Sequence, residues 1–206
     1  MKERNITILA VLYTVLVYAA PALFYAVVTF LPDFLKGLAY VILFLPVALA
    51  VINVIYIKKN FNALSRDVLL RGALIVKYVL IPFYIVGGIN VALFALMMFT
   101  PVVFMVFLSP VIIGVLCFFG WIYLVGGTVF SLAYIIKAKK EKAHGTVLSV
   151  IGGIMQFFFA MDVISLMILS IKDKKYIPVT ITLILVTVIG SISAVAWLVL
   201  TFMANI

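Results

Sequence analysis

Six apolar runs dominate this sequence, and each is long enough to cross a bilayer as a helix. A transmembrane helix needs about 20 predominantly apolar residues. Short segments that carry most of the charge separate the runs. The predicted spans cover residues 6–31, 38–57, 78–98, 110–136, 147–171 and 178–203. We therefore predict an all-α, polytopic membrane protein: a six-helix transmembrane bundle that forms a single domain over residues 1–206, with no soluble domain.

The composition supports a membrane location for most of the chain. Apolar residues make up 68% of the 206 residues and charged residues 10%, whereas soluble domains have about 45–50% and about 25%. So few polar residues cannot cover the surface of a globule in water. The lipid bilayer is therefore the first predicted partner.

Lysine and arginine lie mainly at alternate ends of the predicted spans. If the N-terminus is cytoplasmic, eleven of the fifteen lie on the inner side and four on the outer side. This bias predicts cytoplasmic N- and C-termini in a bacterial plasma membrane, and it explains the net charge of +9 without nucleic-acid binding. The outer lysines at 172–175 would fit better if the fifth segment were re-entrant and returned to the cytoplasmic side. The residues assigned to topology or lipid headgroups are Lys58, Lys59, Arg66, Arg71, Lys137, Lys139, Lys140 and Lys142.

The segment 63–77 differs from the spans because it carries several charges. Arg66, Asp67, Arg71 and Lys77 fall within an arc of about 140° on a helix. This pattern predicts a short amphipathic interfacial segment before the third span. Such a segment between spans two and three resembles that of the six-helix membrane subunits of ABC exporters. The resemblance implies a membrane-subunit role and assigns no residue a function.

Several classes of active site are disfavoured by the residues that could form them. Cys117 is the only cysteine and His144 the only histidine, and His144 lies in a basic loop. Neither a cysteine metal site nor a zinc or haem site with paired histidines fits this content. No glycine-rich nucleotide-binding motif occurs. Because catalysis within a membrane needs converging ionisable groups, an enzyme is the least favoured hypothesis. We predict no catalytic residue, metal or cofactor.

Asp162 is the strongest candidate for function, because it lies near the middle of the fifth predicted span. A carboxylate at that depth costs at least a few kcal/mol unless it faces protein or water, or is protonated. One interpretation is a carboxyl group that binds a proton or a cation. The other is a structural clamp in which Asp162 bonds to a tyrosine or an amide on a neighbouring helix.

Asn90, Tyr18 and Gln156 are the candidate partners of Asp162 in a polar pocket. Asn90 and Tyr18 reach a similar depth if their helices start at the cytoplasmic ends of their spans. Gln156 precedes Asp162 by six residues and would lie about 120° from it on a continuous helix. The pocket is therefore a geometric hypothesis.

Small residues in two spans predict close packing of helices. Gly152 and Gly153 share one side of the fifth span with Gln156, and Gly127 and Ser131 form a small-xxx-small pair in the fourth. Small residues at these spacings let helix backbones approach one another. We assign these four to helix packing.

Two functions remain open from the sequence. The first is a small transporter-like binder of a solute, proton or cation, with Asp162 at its centre. The second is a non-catalytic subunit or regulator of a larger membrane complex, for example an exporter, or of a homo-oligomer, with Asp162 as a clamp.

Overall fold

The computed structural model describes residues 2–99 and 103–204, and these ranges are helical with no strand. Residues 1, 100–102 and 205–206 of the predicted 1–206 domain lie outside them. The all-α prediction is confirmed. The helices are α1 (Lys2–Phe30), α2 (Gly37–Leu43), α3 (Leu45–Asn60), α4 (Arg66–Val79), α5 (Ile81–Met97), α6 (Val103–Lys140), α7 (Thr146–Met155), α8 (Met161–Lys172) and α9 (Ile177–Ala204).

Four helical segments are long and apolar enough to cross a membrane. They are Glu3–Phe30, Ala39–Ala63, Arg66–Met97 and Val103–Lys140, and they contain most of the first four predicted spans. Their outward surfaces carry large apolar side chains, including Val15, Ile55, Val86 and Val111. Apolar surface of this extent is expected where lipid is the solvent.

Two of these segments are interrupted near a proline. The backbone changes at Phe44 between α2 and α3, and at Leu80 between α4 and α5. Pro46 and Pro82 follow, each in the first two positions of the new helix. Proline has no amide proton and its ring clashes with the preceding turn, which explains both interruptions.

The predicted interfacial segment is α4, which is more extensive than one or two amphipathic turns. It is 14 residues long and packs against both α1 and α6. A Cβ atom on Gly72 would lie 3.1 Å from Ile6 and 3.2 Å from Phe130, so the absence of a side chain permits this contact. The third helical segment that is long and apolar enough to cross a membrane therefore starts at Arg66 and not near residue 78.

The prediction of a continuous helix over 147–171 is wrong. α7 ends at Met155 and α8 begins at Met161, and each is too short to span a bilayer alone. Within the break, Ala160 has φ of 64°, a left-handed conformation that costs a non-glycine residue about 1–2 kcal/mol. We call residues 156–160 the α7–α8 break.

The chain divides into two compact units, Met1–Leu166 and Met167–Ile206. In the first, one stripe of α1 is fully buried, at the helical spacing of a packed face. That face packs against α4 and contacts α6. The stripe consists of Ile6, Ala10, Tyr13, Val17 and Ala20.

The second unit contains the end of α8, a tight turn and α9. Lys174 and Tyr176 in the turn have φ of 53° and 56°. The Ser170 hydroxyl donates to the Lys175 carbonyl and lies 3.3 Å from the Thr180 hydroxyl, which ties the turn to both helices.

Candidate functional site

The central feature of the first unit is a buried ion pair between Lys77 and Asp162. Lys77 Nζ lies 2.7 Å from Asp162 Oδ2, and the two side chains are 1% and 2% exposed. Lys77 is in the last turn of α4 and Asp162 in the first turn of α8. Helix dipoles favour a cation at a C-terminus and an anion at an N-terminus, so both helix ends support the pair.

Two oxygens of α6 complete the surroundings of the Lys77 ammonium. Thr128 Oγ1 lies 3.2 Å from Nζ and the Leu124 carbonyl oxygen 3.5 Å. With Asp162 Oδ2, three oxygens face the three N–H donors of the ammonium. We call Asp162 Oδ2, Thr128 Oγ1 and the Leu124 carbonyl the oxygen cage.

The carboxylate of Asp162 has few other contacts. Its Oδ1 accepts a hydrogen bond from the Val163 amide at 2.8 Å. Its Oδ2 meets the ammonium and has no further hydrogen-bond partner among the described residues. The negative charge therefore depends on Lys77 for its compensation.

The α7–α8 break brings Gln156 to Asp162. The Gln156 amide nitrogen lies 3.2 Å from the Gly152 carbonyl and 3.4 Å from the Asp162 carbonyl. Ser165 also donates to the Gly152 carbonyl, at 3.3 Å. The angular separation of about 120° expected for Gln156 and Asp162 applied to an unbroken helix. The break removes that constraint and folds the two segments together.

The break is also attached to α6 through its backbone. Thr128 Oγ1 lies 3.0 Å from the Gln156 carbonyl, and Trp121 Nε1 donates to the Phe157 carbonyl at 3.2 Å. A broken helix leaves carbonyls without their usual amide partners. In this chain, polar side chains of α6 bind two of them.

Two buried polar atoms near the α7–α8 break have no hydrogen-bond partner among the described residues. They are Gln156 Oε1 and the Tyr84 hydroxyl. The Tyr84 ring packs edge-on against Phe159 of the break, with centroids 5.5 Å apart. Unpaired buried polar atoms are uncommon in folded proteins. The site therefore has hydrogen-bonding capacity that its own contacts do not use.

Tyr18 and Asn90 do not join Asp162 in a common pocket. Tyr18 donates its hydroxyl to the Val79 carbonyl at 2.7 Å, at the end of α4. Asn90 is exposed and donates to the Val86 carbonyl of its own helix at 2.8 Å. Asn90 follows Lys77 by thirteen residues, about 20 Å of helix. The helical segment that contains Asn90 starts at Arg66, so Asn90 lies farther along that segment than a start near residue 78 implies.

Sequence reasoning did not identify Lys77, Thr128 or Tyr84 as parts of the site. Lys77 was grouped with Arg66 and Arg71 in the amphipathic arc and counted as a topology signal. Its position immediately before a long apolar run was an available clue. So was the need of a deep carboxylate for a cationic partner.

Two helices give the distance of the pair from other charged residues. Lys77 lies six residues after Arg71, about 9 Å along α4. Thr128 lies nine residues before Lys137, about 14 Å along α6. The pair therefore lies more than one helical turn from these charges on each helix.

Close packing of α4 on α6 sets the spacing of the site. A Cβ atom on Gly127 would lie 2.8 Å from Val76 Cγ1, and these residues directly precede Thr128 and Lys77. Ser131 is fully buried and donates to the Thr128 carbonyl. Gly127 and Ser131 therefore lie on a packed face.

The glycines of α7 have different surroundings. Gly152 is buried, and its carbonyl accepts hydrogen bonds from Gln156 and Ser165. A Cβ atom on Gly153 would be in ordinary contact with Leu132, at 3.8 Å. Gly152 thus supports the break, and Gly153 lies beside α6.

Some predicted topology residues hold the ends of helices. Lys137 Nζ lies 3.4 Å from the carbonyls of both Phe61 and Asn62, and Lys137 and Lys140 lie over the Phe61 ring. Arg66 and Glu141 form a longer contact of 3.9 Å. The remaining members are exposed: Lys58, Lys59, Arg71, Lys139 and Lys142.

Two clefts in the described part of the first unit are lined by residues other than Lys77 and Asp162. A polar cleft of about 410 Å³ includes Glu3, Ser65, Arg66 and Glu141. An apolar groove of about 240 Å³ lies between α3 and α6, beside Trp121. The ion pair lies apart from both clefts.

Residues 3–175 match the profile of DUF6652, which is described as a family of unknown function. The matched region contains the whole site, from Lys77 through Thr128 to Asp162, and ends after α8. No curated protein and no solved structure matches the chain.

Proposed function

The chain belongs to the DUF6652 family, and we propose from its geometry that it is a small transporter-like membrane protein that binds a proton or cation at Asp162. The observation that carries this proposal is the ion pair of Lys77 and Asp162, fully buried at a helix break. Intramembrane ionisable residues are expensive and are typical of ion and substrate pathways. Broken helices at mid-membrane are typical of transporter binding sites.

The strained backbone beside the pair supports the proposal. Ala160 keeps a left-handed conformation one residue before α8. Such strain persists only where surrounding contacts impose it, and it is concentrated at functional sites. A change in occupancy at Asp162 would act on the strained break directly, because Asp162 is in the first turn after it.

For the membrane arrangement, we propose six crossings with both termini cytoplasmic in the plasma membrane. In this arrangement 146–172 crosses as two short helices, α7 and α8, joined by the α7–α8 break. The competing arrangement is a re-entrant segment that returns to the cytoplasmic side. The bond from the Ser165 hydroxyl of α8 to the Gly152 carbonyl of α7 favours this alternative, because it holds the two helices against one another. Labelling of Lys174→Cys in a Cys117→Ser background tests the fifth crossing. Reaction only from outside is expected, and reaction only from the cytoplasm contradicts the crossing.

Ion flux in proteoliposomes tests the transport proposal. The wild-type protein is reconstituted, and uptake of protons, Na⁺ and K⁺ is measured separately against protein-free liposomes. We expect uptake of at least one ion above that background and its loss in Asp162→Asn. The matched control is Asp33→Asn, which removes an exposed acid that is also paired with a lysine, Lys36.

Two results contradict this function. One is wild-type uptake equal to protein-free liposomes for all three ions. The other is equal uptake by wild type and Asp162→Asn at matched insertion. Because the single variant is also expected to lose stability, the uncharged pair Lys77→Met/Asp162→Leu is measured beside it. If this folded variant retains wild-type uptake, the ion pair does not couple transport.

The second candidate is a non-catalytic membrane subunit or regulator in which the pair is a structural clamp. The compensated state of Asp162 favours it, because Lys77 neutralises the carboxylate without an added ion. In this case the double variant folds and assembles with its partner as well as wild type does. Neither protein takes up ions above the level of protein-free liposomes. Lipid and a partner membrane protein, or a second copy, are then its partners.

A further inference from the structure

We propose that the ammonium of Lys77 occupies a site for an alkali-metal cation, formed by the oxygen cage. The inference rests on the proposed function for its role, since it names the class of ion that Asp162 would bind. It requires that Na⁺ or K⁺ enter the cage when the ammonium is absent.

The ligand set of the cage carries this inference. It contains a carboxylate oxygen, a hydroxyl oxygen and a backbone carbonyl, at 2.7, 3.2 and 3.5 Å from Lys77 Nζ. Hard cations prefer oxygen ligands of these kinds. The ammonium and an alkali-metal cation therefore require the same surroundings.

An unused polar atom nearby is an independent second observation. Gln156 is fully buried, yet its Oε1 has no hydrogen-bond partner in the described ranges. The same amide group binds the Asp162 backbone through its nitrogen. The Gln156 side-chain oxygen is therefore a candidate further ligand for an ion that has no N–H bonds to direct.

Charge balance also favours exchange. Removal of Lys77 leaves one buried negative charge with a single hydrogen bond, from Val163 to Oδ1. A monovalent cation restores neutrality at the same place, whereas a divalent cation leaves an excess positive charge. Buried charges are tolerated when they are paired or bind a metal.

The test measures thermal unfolding of the purified full-length protein in detergent. Wild type, Lys77→Ala and Lys77→Ala/Asp162→Asn are compared in NaCl, KCl and N-methylglucamine chloride at equal ionic strength. For Lys77→Ala, we expect saturable stabilisation by Na⁺ or K⁺, about 5–10 °C at a concentration roughly 100 times Kd. The double variant should show no such difference between salts. Wild type, whose cage already holds the Lys77 ammonium, should show a smaller difference than Lys77→Ala.

Chemical rescue supplies a second readout. Methylammonium carries an ammonium that can occupy the cage after truncation of Lys77, so it should stabilise Lys77→Ala and leave the double variant unchanged. If Lys77→Ala cannot be isolated in any salt, the same titration on Lys77→Gln, which retains side-chain volume, decides the question.

The inference is overturned if the Lys77 variant responds to Na⁺ and K⁺ no more than wild type does. It is equally overturned if the double variant responds as strongly, since the effect is then a general effect of salt. If the cation test fails, the proposal that Asp162 binds a proton is unaffected. Conversely, cation-dependent stabilisation with no ion flux rejects the transport proposal and retains the cage.

Discussion

Two lysine–aspartate pairs among the described residues have nearly equal length in opposite surroundings. Lys77–Asp162 is 2.7 Å long and almost fully buried, and Lys36–Asp33 is 2.6 Å long with side chains 42% and 94% exposed. The exposed pair joins neighbours three residues apart. The buried pair joins α4 to α8 across 85 residues of sequence. Two ion pairs of nearly equal contact distance can therefore differ greatly in their effect on folding.

The difference follows from what replaces each contact when it is lost. Water solvates Lys36 and Asp33 at once, so their attraction contributes little. Lys77 and Asp162 have no such replacement, and either charge left alone is strongly unfavourable. Thus the buried pair is a requirement of the folded state. It is also the point where a change of charge would alter the contact between helices.

The largest expected effect comes from breaking the buried pair at one end. Asp162→Asn leaves the Lys77 ammonium without its counter-ion, and we expect a loss of about 3–5 kcal/mol in the free energy of unfolding. Asp33→Asn should cost less than about 1 kcal/mol. Unfolding of both variants in mixed micelles by a denaturing detergent measures the difference. Equal losses would show that the two pairs do not differ in energetic role.

The next effect comes from moving α4 away from α6 without changing a charge. Gly127→Ala places a methyl group 2.8 Å from Val76 Cγ1, and valine has little rotamer freedom in a helix. We expect a loss of about 1–3 kcal/mol from overpacking. Gly114→Ala is the control in the same helix, because its Cβ would meet nothing within 4 Å. A similar loss in Gly114→Ala would mean that the added methyl group destabilises helix α6 itself and not its packing on α4.

The contrast also shows how much could be predicted from the sequence. Apolar runs report local composition, and they correctly predicted an all-α chain and the approximate positions of four helical segments that are long and apolar enough to cross a membrane. Asp162 could be identified from the sequence alone, because a carboxylate inside an apolar run has a high free-energy cost wherever its partner lies. Predictions of this kind need no knowledge of tertiary contacts.

The partner of Asp162 could not be predicted in the same way. Lys77 belongs to an arc of charges that is typical of an interfacial helix, and only packing on α1 and α6 buries it. The α7–α8 break was also missed, because its sequence is apolar and contains no proline or glycine within 156–160. Its stability comes from Thr128 and Trp121 on another helix, which bind the freed carbonyls.

Removing both charges of the buried pair is expected to have a smaller effect than removing one. Lys77→Met/Asp162→Leu replaces the ions with apolar side chains of similar volume, which is often neutral for a buried pair. We expect the free energy of unfolding to lie within about 1–2 kcal/mol of wild type. The same detergent titration measures it. A loss equal to that of Asp162→Asn would mean that the ions also stabilise the break through bonds that apolar groups cannot replace.

The smallest effect is expected at the exposed pair, and it should depend on salt. Lys36→Met removes the 2.6 Å contact to Asp33, and both partners remain largely open to solvent. The loss should be below about 1 kcal/mol and should vanish near 1 M salt, where the screening length falls to about 3 Å. Unfolding of wild type and Lys36→Met at low and high salt measures this. A difference that persists at high salt would mean that Lys36 stabilises the turn through its aliphatic chain, and the exposed pair would no longer serve as a purely electrostatic reference for Lys77–Asp162.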